Sequence, residues 1–480
     1  MRRLCKIVLL LLTPLMLIGS FEENNCSDPL VANLTTVWTG DFDQMIERRF
    51  VRVLVISSEI MYWVDQGKKS GLVYELMMMF EKELNKRYRL KNRHMKMKVV
   101  LIPVSKAKLI PALIEGRGDI VVAEVSVTPR RSKKVDFSDP FISNIKVIVV
   151  TGPSSPPVKT MENLSGKEIY VQHASRYKEI LEEMNVWFAK NGKEPIKIRI
   201  IPDVLESKEI LEMVNAGLIE ATIIYDYQAK LWSKVLPDLV LHENIVLEKD
   251  DSFSWMVRKH SPLLLDEVNH FIKKHKAGTL LGNILIKRYV QQFQFSEPAL
   301  TQSKIEAFEK VVGIFKKYAR QYELNYLLMI AQAYQESKLN QRARSRVGAI
   351  GMMQLMPTTG REMRVGDIRN LEANIHAGIK YHRLILDRYF NDESMDALNR
   401  TLFTFAAYNA GPARIRKLRK IAQKRGYDPN IWFDNVEVIA AEKIGAETVS
   451  YVANIYEYYV AYYLYEQEKL EKEKVWKRGS

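Results

Sequence analysis

Two hydrophobic periodicities divide the chain. From Phe50 onward, short runs of consecutive apolar residues alternate with stretches in which apolar positions recur every three or four residues. Val51-Arg52-Val53-Leu54-Val55-Ile56 is the first run and predicts a buried strand. Gly71 to Arg87 carries Leu72, Leu76, Met79, Phe80 and Leu84 at helical spacing and predicts an amphipathic helix. A strand over Val99–Ile102 follows, then a helix over Lys106–Glu115 closed by Gly116, then a strand over Ile120–Ala123. Ile145–Val150, Glu168–Val171, Ile196–Ile201 and Ala221–Ile224 read as further strands with helices between them. Such alternation predicts an α/β domain with a mainly parallel sheet. The period is lost between Gln291 and Ser303, a stretch that holds Pro298 and reads as a linker. Beyond it the pattern is helical. Ser303 with Glu306 has capping-box spacing, and Ile305, Phe308, Val312, Phe315 and Ala319 follow on one face. Tyr326–Ser337 predicts a second helix, and Tyr451–Lys474 a helical tail. The expected class is multidomain, α/β over 45–292 followed by all-α over 298–480.

Composition fits this picture. A chain of 480 residues is too long for one ordinary core, and 47% hydrophobic with 27% charged residues are globular values. Arg2, Arg3 and Lys6 precede an apolar stretch from Ile7 to Ile18, and Gly19-Ser20 offers small residues for cleavage. Residues 1–20 therefore read as an export signal peptide. The apolar stretch is shorter than the roughly 20 residues that span a bilayer, so the mature chain is expected to be exported and soluble, or peripheral to a membrane. The net charge of +15 favours anionic partners without choosing among them. Of the two cysteines, Cys5 lies in the signal, so no internal disulfide remains, and Glu23-Asn24-Asn25 before Cys26 is not the small, apolar context of lipid attachment. The eight histidines show no zinc-ligand spacing, so no metal and no cofactor are expected.

Chemistry gathers in the helical half. Glu336 sits at the C-terminal end of an apolar helix, where desolvation and the negative end of the helix dipole both raise a carboxyl pKa. That suits a general acid near neutral pH, although a lone Glu there also fits a solvated helix end. Gly348-Ala349-Ile350-Gly351-Met352-Met353-Gln354 is a turn of closely spaced small residues, and Pro357 after it can open a helix. Ala407-Tyr408-Asn409-Ala410-Gly411-Pro412 ends another helix, and Glu447-Thr448 precedes Tyr451. Tyr, Asn and Gln are residue types that stack on and hydrogen-bond sugars.

These segments resemble the lysozyme-like domain of family 1 lytic transglycosylases, the Slt type. The family's Glu-Ser pair, Gly-Leu-Met-Gln turn, Ala-Tyr-Asn segment and Glu-Thr…Tyr-Val segment appear in order as Glu336-Ser337, Gly351-Met352-Met353-Gln354, Ala407-Tyr408-Asn409 and Glu447-Thr448…Tyr451-Val452, and Asn374-Ile375…Gly378…Tyr381 also fits. Met352 in place of Leu is the one departure inside the turn. The resemblance implies Glu336 as the single catalytic acid and base on peptidoglycan glycan strands, with Ser337, Met353, Gln354, Tyr408, Asn409 and Tyr451 positioning the sugar. No second carboxylate stands out near the motifs, which agrees with a lyase that closes a 1,6-anhydro ring rather than a two-carboxylate hydrolase. A lysozyme-type hydrolase, an inactive glycan-binding module and a purely structural helical domain are the competing readings.

In the first half, Val125-Ser126-Val127-Thr128-Pro129-Arg130-Arg131 and Val135-Asp136-Phe137-Ser138-Asp139-Pro140-Phe141 resemble family 3 solute-binding proteins, the amino-acid-binding type, a two-lobed type II periplasmic-binding fold. An Arg fork binds a carboxylate in bidentate fashion, and the resemblance gives that role to Arg131 with Thr128. It gives Ser175 the opening of the matching second-lobe helix, Asp226 the α-amino group, and Tyr62 or Trp63 an aromatic wall. Ala174 stands where the family more often has Gly. The two domains in this order resemble membrane-bound lytic murein transglycosylases of the F type. That implies a periplasmic location, peripheral on the inner leaflet of the outer membrane, with the first domain regulating the second through an amino-acid or muropeptide ligand. Nucleic acid is not among the partners implied. The runner-up for the whole chain is a solute sensor whose helical domain only docks on glycan.

Overall fold

The computed structural model describes residues 34–291 and 302–479, apart from 35, 59, 66–67, 89, 91–93, 154, 157, 203–204 and 392–393. The signal segment, both cysteines and nearly all of the linker lie outside these residues. Among the described residues no helix is long and apolar enough to cross a membrane.

Among the described residues of the first half, helices α1 (Phe42–Arg48), α2 (Leu72–Arg87), α3 (Leu109–Ile114), α4 (Pro129–Ser132), α5 (Arg176–Lys190), α6 (Ser207–Asn215), α7 (Asp226–Trp232), α8 (Pro262–His275) and α9 (Leu280–Ile286) are interleaved with ten strands. These are β1 (Phe50–Val55), β2 (Trp63–Asp65), β3 (Lys68–Ser70), β4 (Lys98–Pro103), β5 (Ile120–Val121), β6 (Val135–Thr151), β7 (Glu168–Gln172), β8 (Lys197–Ile201), β9 (Ala221–Tyr225) and β10 (Val240–Arg258). The main sheet has the order β4-β1-β5-β10-β6-β9, β2 pairs with β3, and β7 pairs with β8. β1 runs parallel to β4 and β5, as the alternating pattern predicts. The sheet as a whole is mixed rather than mainly parallel, because β10 runs antiparallel to β5 and β6, and β6 antiparallel to β9. β6 and β10 are long strands that serve two cores. Val135 and Met256 pack in the first lobe, whereas Ile145 to Val150 pack in the second. The register between them breaks repeatedly from His242 to Met256, as a pair of strands does when it bends from one lobe into the next.

β1 is buried from Val51 to Val55, including Arg52 at 1% exposure. Asp119 makes that burial possible. Its carboxylate accepts from the Arg52 backbone N–H at 2.8 Å and lies 2.9 Å from the Arg52 guanidinium, with Arg48 and Arg258 also in reach. A buried charge needs such a partner.

The second half is helical: α10 (Gln302–Gln321), α11 (Tyr326–Ser337), α12 (Pro357–Met363), α13 (Leu371–Tyr389), α14 (Ala397–Ala410), α15 (Pro412–Lys424), α16 (Glu437–Ile444) and α17 (Ala446–Gly479). α10 is already helical at Gln302, so Ser303 lies inside it rather than capping it. Boundaries read from side-chain signals shift by a residue or two in this way, because hydrogen bonding alone sets the first turn. The stretch read as one helix over Lys106–Glu115 opens with a tighter turn at Lys106–Lys108 before α3. α11 runs through the domain centre, with every residue from Leu327 to Ala333 buried. α17 packs on α11 and also reaches the first half, where Lys69 pairs with Glu457, Lys98 lies 3.3 Å from Asn454, and Arg49 lies 2.5 Å from Glu437.

Candidate active site

Asn325 caps the start of α11, accepting from the Leu327 N–H at 2.9 Å. Lys338 ends the helix in the left-handed region, φ 56°, with its N–H on the Tyr334 carbonyl at 2.9 Å. Glu336 therefore sits in the last turn of a helix that is capped at both ends and buried from Leu327 to Ala333. It is partly buried, and desolvation pushes its pKa from 4.5 to about 7. A hydrogen bond from the Tyr451 hydroxyl to Oε1, at 2.6 Å, opposes that rise without cancelling it. Among the described residues no cation forms an ion pair with Glu336, and no second carboxylate contributes to its shift.

Beside Glu336 runs the turn Ile350–Gln354, held by side chains from three helices and a loop. Ser337 Oγ donates to the Met352 carbonyl at 2.8 Å. Gln341 Oε1 accepts from the Met352 N–H at 3.0 Å. Asn374 from α13, fully buried, accepts from the Met353 N–H at 2.8 Å and donates to the carbonyls of Ile350 and Ile368. The Tyr408 hydroxyl from α14 donates to the Met353 carbonyl at 2.9 Å. Gly351 has φ +80°, and a Cβ there would stand 2.4 Å from Asn374 Nδ2, so the clamp requires glycine. Gln354, also left-handed at φ 44°, folds its amide back onto the Gly351 carbonyl at 2.8 Å.

The sequence-derived residues thus fall into three groups. Glu336 and Tyr451 touch directly. Ser337, Met353 and Tyr408 meet through the turn, and burial together with the nearby Glu336 carboxylate keeps the Tyr408 hydroxyl protonated far above its usual range. Gln354 and Asn409 have no hydrogen bond to these. Asn409 is exposed and accepts from Thr448 Oγ1 at 2.7 Å, which joins the end of α14 to the start of α17. Two polar residues that no sequence signal singled out lie behind Glu336. Gln332 and His382 are both buried, and Gln332 Nε2 donates to the Tyr451 hydroxyl oxygen at 3.3 Å.

The cleft residues of the first half are also occupied. Thr128 caps α4, accepting from the Arg131 N–H at 3.4 Å. The Arg131 guanidinium donates to the Ser126 carbonyl at 3.0 Å and lies 3.6 Å from Glu179 of the other lobe. Ser175 caps α5 and donates to the Gln172 carbonyl at 2.7 Å. Asp226 lies 3.8 Å from Lys230 on its own helix. Tyr62 is packed in the first-lobe core, whereas Trp63 lines a cavity of about 240 Å³ with Glu124, Gln228 and Trp232. Glu124 spans the lobes, accepting from the Tyr227 hydroxyl and from Gln228 Nε2 at 2.6 Å. Tyr465 and Lys469 of α17 complete the cavity wall.

Residues 57–292 match bacterial extracellular solute-binding proteins, family 3, and residues 313–431 match the transglycosylase SLT domain. The chain is similar to a membrane-bound lytic murein transglycosylase F of Pseudomonas fluorescens, at 27% identity over 90% of this chain and 88% of the relative. It is similar to one of the same name from Desulfosudis oleivorans, at 27% identity over 73% of this chain and 78% of the relative. Among solved structures it is similar to a mutant of ArgBP from T. maritima, at 20% identity, TM-score 0.42, over 52% of this chain and 98% of that one.

Proposed function

We propose that this chain, in which a family 3 solute-binding domain is followed by an SLT domain as in the lytic murein transglycosylases of the F type, cleaves peptidoglycan glycan strands as a lyase, with Glu336 as its one acid and base. The observation that carries the reading is a carboxyl with a pKa of about 7 whose one hydrogen-bond partner is Tyr451 and which has no carboxylate partner among the described residues. Near neutral pH about half of it is protonated. Glu336 gives its proton to the glycosidic oxygen between N-acetylmuramic acid and N-acetylglucosamine. The substrate's acetamido oxygen then supports the oxocarbenium-like centre. The carboxylate left behind takes the proton from the muramyl C6 hydroxyl, whose oxygen closes the 1,6-anhydro ring. Water is not consumed, and one group serves both steps, so the missing second carboxylate is no defect. Ser337, Met353 and Tyr408 hold the turn against which the sugar lies, and Gln354, Asn409 and Tyr451 complete its surroundings.

Digestion of purified sacculi tests this. Wild type is expected to release anhydromuropeptides, lighter by one water than hydrolysis products, and Glu336→Gln none. Equal release by both would overturn the role of Glu336, and reducing-end products would overturn the lyase chemistry.

The first domain binds an amino-acid or muropeptide carboxylate through Arg131 and Thr128, and the ligand displaces Glu179 from Arg131. Its signal travels along α17, which carries Tyr451 at one end and the cleft residues Tyr465 and Lys469 further on, about 21 Å along the helix from Tyr451 to Tyr465. Turnover that stays the same with and without saturating muropeptide would sink this coupling. The protein acts at the periplasmic face of the outer membrane as a peripheral protein, a location that cell fractionation checks.

A further inference from the structure

Behind the acid stands a chain of polar groups with no contact to the solvent. Gln332 of α11 is 0% exposed, and His382 of α13 is 1% exposed. Burying an amide and an imidazole inside a helical core costs free energy unless each is hydrogen-bonded, so their pairing calls for a physical reason. His382 Nδ1 lies 3.2 Å from Gln332 Oε1. Burial keeps the imidazole neutral, with its pKa lowered to about 3, so Nδ1 carries the hydrogen that this contact requires. With its carbonyl oxygen engaged by His382, Gln332 presents its NH₂ to the Tyr451 oxygen, 3.3 Å away. Tyr451 therefore accepts from Gln332 and must send its own proton forward, to Glu336 Oε1 at 2.6 Å.

We propose that His382 and Gln332 are positioning residues that fix the direction of the Tyr451 hydroxyl, and so decide which oxygen of the catalytic carboxyl carries the transferable proton. Oε1 is held as an acceptor in both protonation states. The acid proton then resides on Oε2, the oxygen that faces away from Tyr451, where it can pass to a glycosidic oxygen. Without the Gln332 donor, Tyr451 is free to accept from Glu336 instead. In that arrangement the proton is trapped between the two side chains and the acid form is favoured unproductively. The titratable groups that face Glu336 are Tyr451 from α17 and Tyr408 from α14. Tyr381 of α13 stands behind Tyr408, and Arg383 is the charged group acting on His382.

The inference rests on Glu336 being the acid, and the test separates the two claims. Turnover of soluble glycan strands is followed against pH for wild type, Gln332→Met, Tyr451→Phe and their combination, with kcat and KM resolved. Because Gln332→Met leaves His382 without its partner, the pair Gln332→Met/His382→Leu, apolar at both positions, is run beside it, and thermal melts confirm that each protein is folded. The alkaline limb is expected to move up by about one pH unit in Tyr451→Phe and by about half a unit in Gln332→Met and in the pair. In the latter two, kcat is expected to fall about tenfold with KM unchanged. Gln332→Met is expected to add nothing in the Tyr451→Phe background. A limb that stays where it is in the folded pair variant overturns the proposal. So does a limb that moves down, since that is the sign for an amide turned with its oxygen toward Tyr451. An undiminished effect of Gln332→Met without the Tyr451 hydroxyl overturns it as well. If instead Glu336→Gln remains active, the failure belongs to the assignment of the acid.

Discussion

Glu336, the proposed acid, carries a cost in stability. An unfolded Glu ionises near 4.5, whereas burial moves this one to about 7. Between those values the folded state holds more protons than the unfolded state, so stability falls as pH rises from 4.5 to about 7 and stays reduced above it. The gap corresponds to about 3 kcal/mol at most. Glu336→Gln is therefore expected to raise the melting temperature at pH 8 and to leave it unchanged near pH 4, while abolishing turnover. A melt that responds equally at both pH values would contradict this. Wild-type turnover is expected to decline as pH rises through about 7, because the first step needs the protonated acid. His382 has the opposite linkage. Its folded pKa lies below its ordinary 6.5, so the stability it contributes is present above 6.5 and lost as pH falls toward about 3. A Gln332→Met/His382→Leu variant is expected to melt with a weaker acid dependence over that window.

Among the elements, α11 and the turn Ile350–Gln354 form one mechanical unit. The helix supplies Glu336 and Ser337, and the turn receives Ser337, Gln341, Asn374 and Tyr408 on successive backbone groups. Each such bond adds roughly 1 kcal/mol net, but losing a partner in a dry site costs more, because a backbone group is left unsatisfied. Gly351→Ala is expected to cost about 2 kcal/mol or more, from a left-handed φ of +80° and a Cβ 2.4 Å from Asn374 Nδ2. Chemical denaturation measures it, and a loss of activity larger than the loss of folded protein would show the displaced turn. Gly378 makes a related approach, where a Cβ would meet the Met353 side chain at 2.6 Å.

Over the whole molecule, the two halves meet through charge. Glu437 is 3% exposed and depends on Arg49, which lies 2.5 Å away and also reaches Asp434 at 3.0 Å. A cavity of about 490 Å³ lies beside these groups, bounded also by Lys98, Asn454 and Glu457. Removing one member of a buried pair strands the other, at a cost of about 3 kcal/mol. Arg49→Met is thus expected to destabilise the protein by about that amount, and Glu437→Gln in the same background to recover much of it. Two single changes that simply add, in a double-mutant cycle read by melting, would show that the pair does not bridge the halves.

The sequence by itself determined the two fold classes and their order, and it singled out Glu336 as the candidate acid, because hydrophobic period and local motifs are properties of neighbouring residues. Tyr326–Ser337 was legible to the residue, since an apolar run bounded by Asn325 and Lys338 has one helical reading. β10 left no such signal, because Glu248-Lys249-Asp250-Asp251-Ser252 interrupts its apolar positions where the strand crosses between lobes. The buried roles of Arg52, Gln332 and His382 were equally hidden. A polar residue in an apolar stretch looks the same whether it faces solvent or a partner far along the chain. Only the tertiary structure brought Asp119 to Arg52 and Tyr451 to Gln332, and only the packing of α17 on α11 decided that Glu336 is desolvated against a hydroxyl rather than left in water.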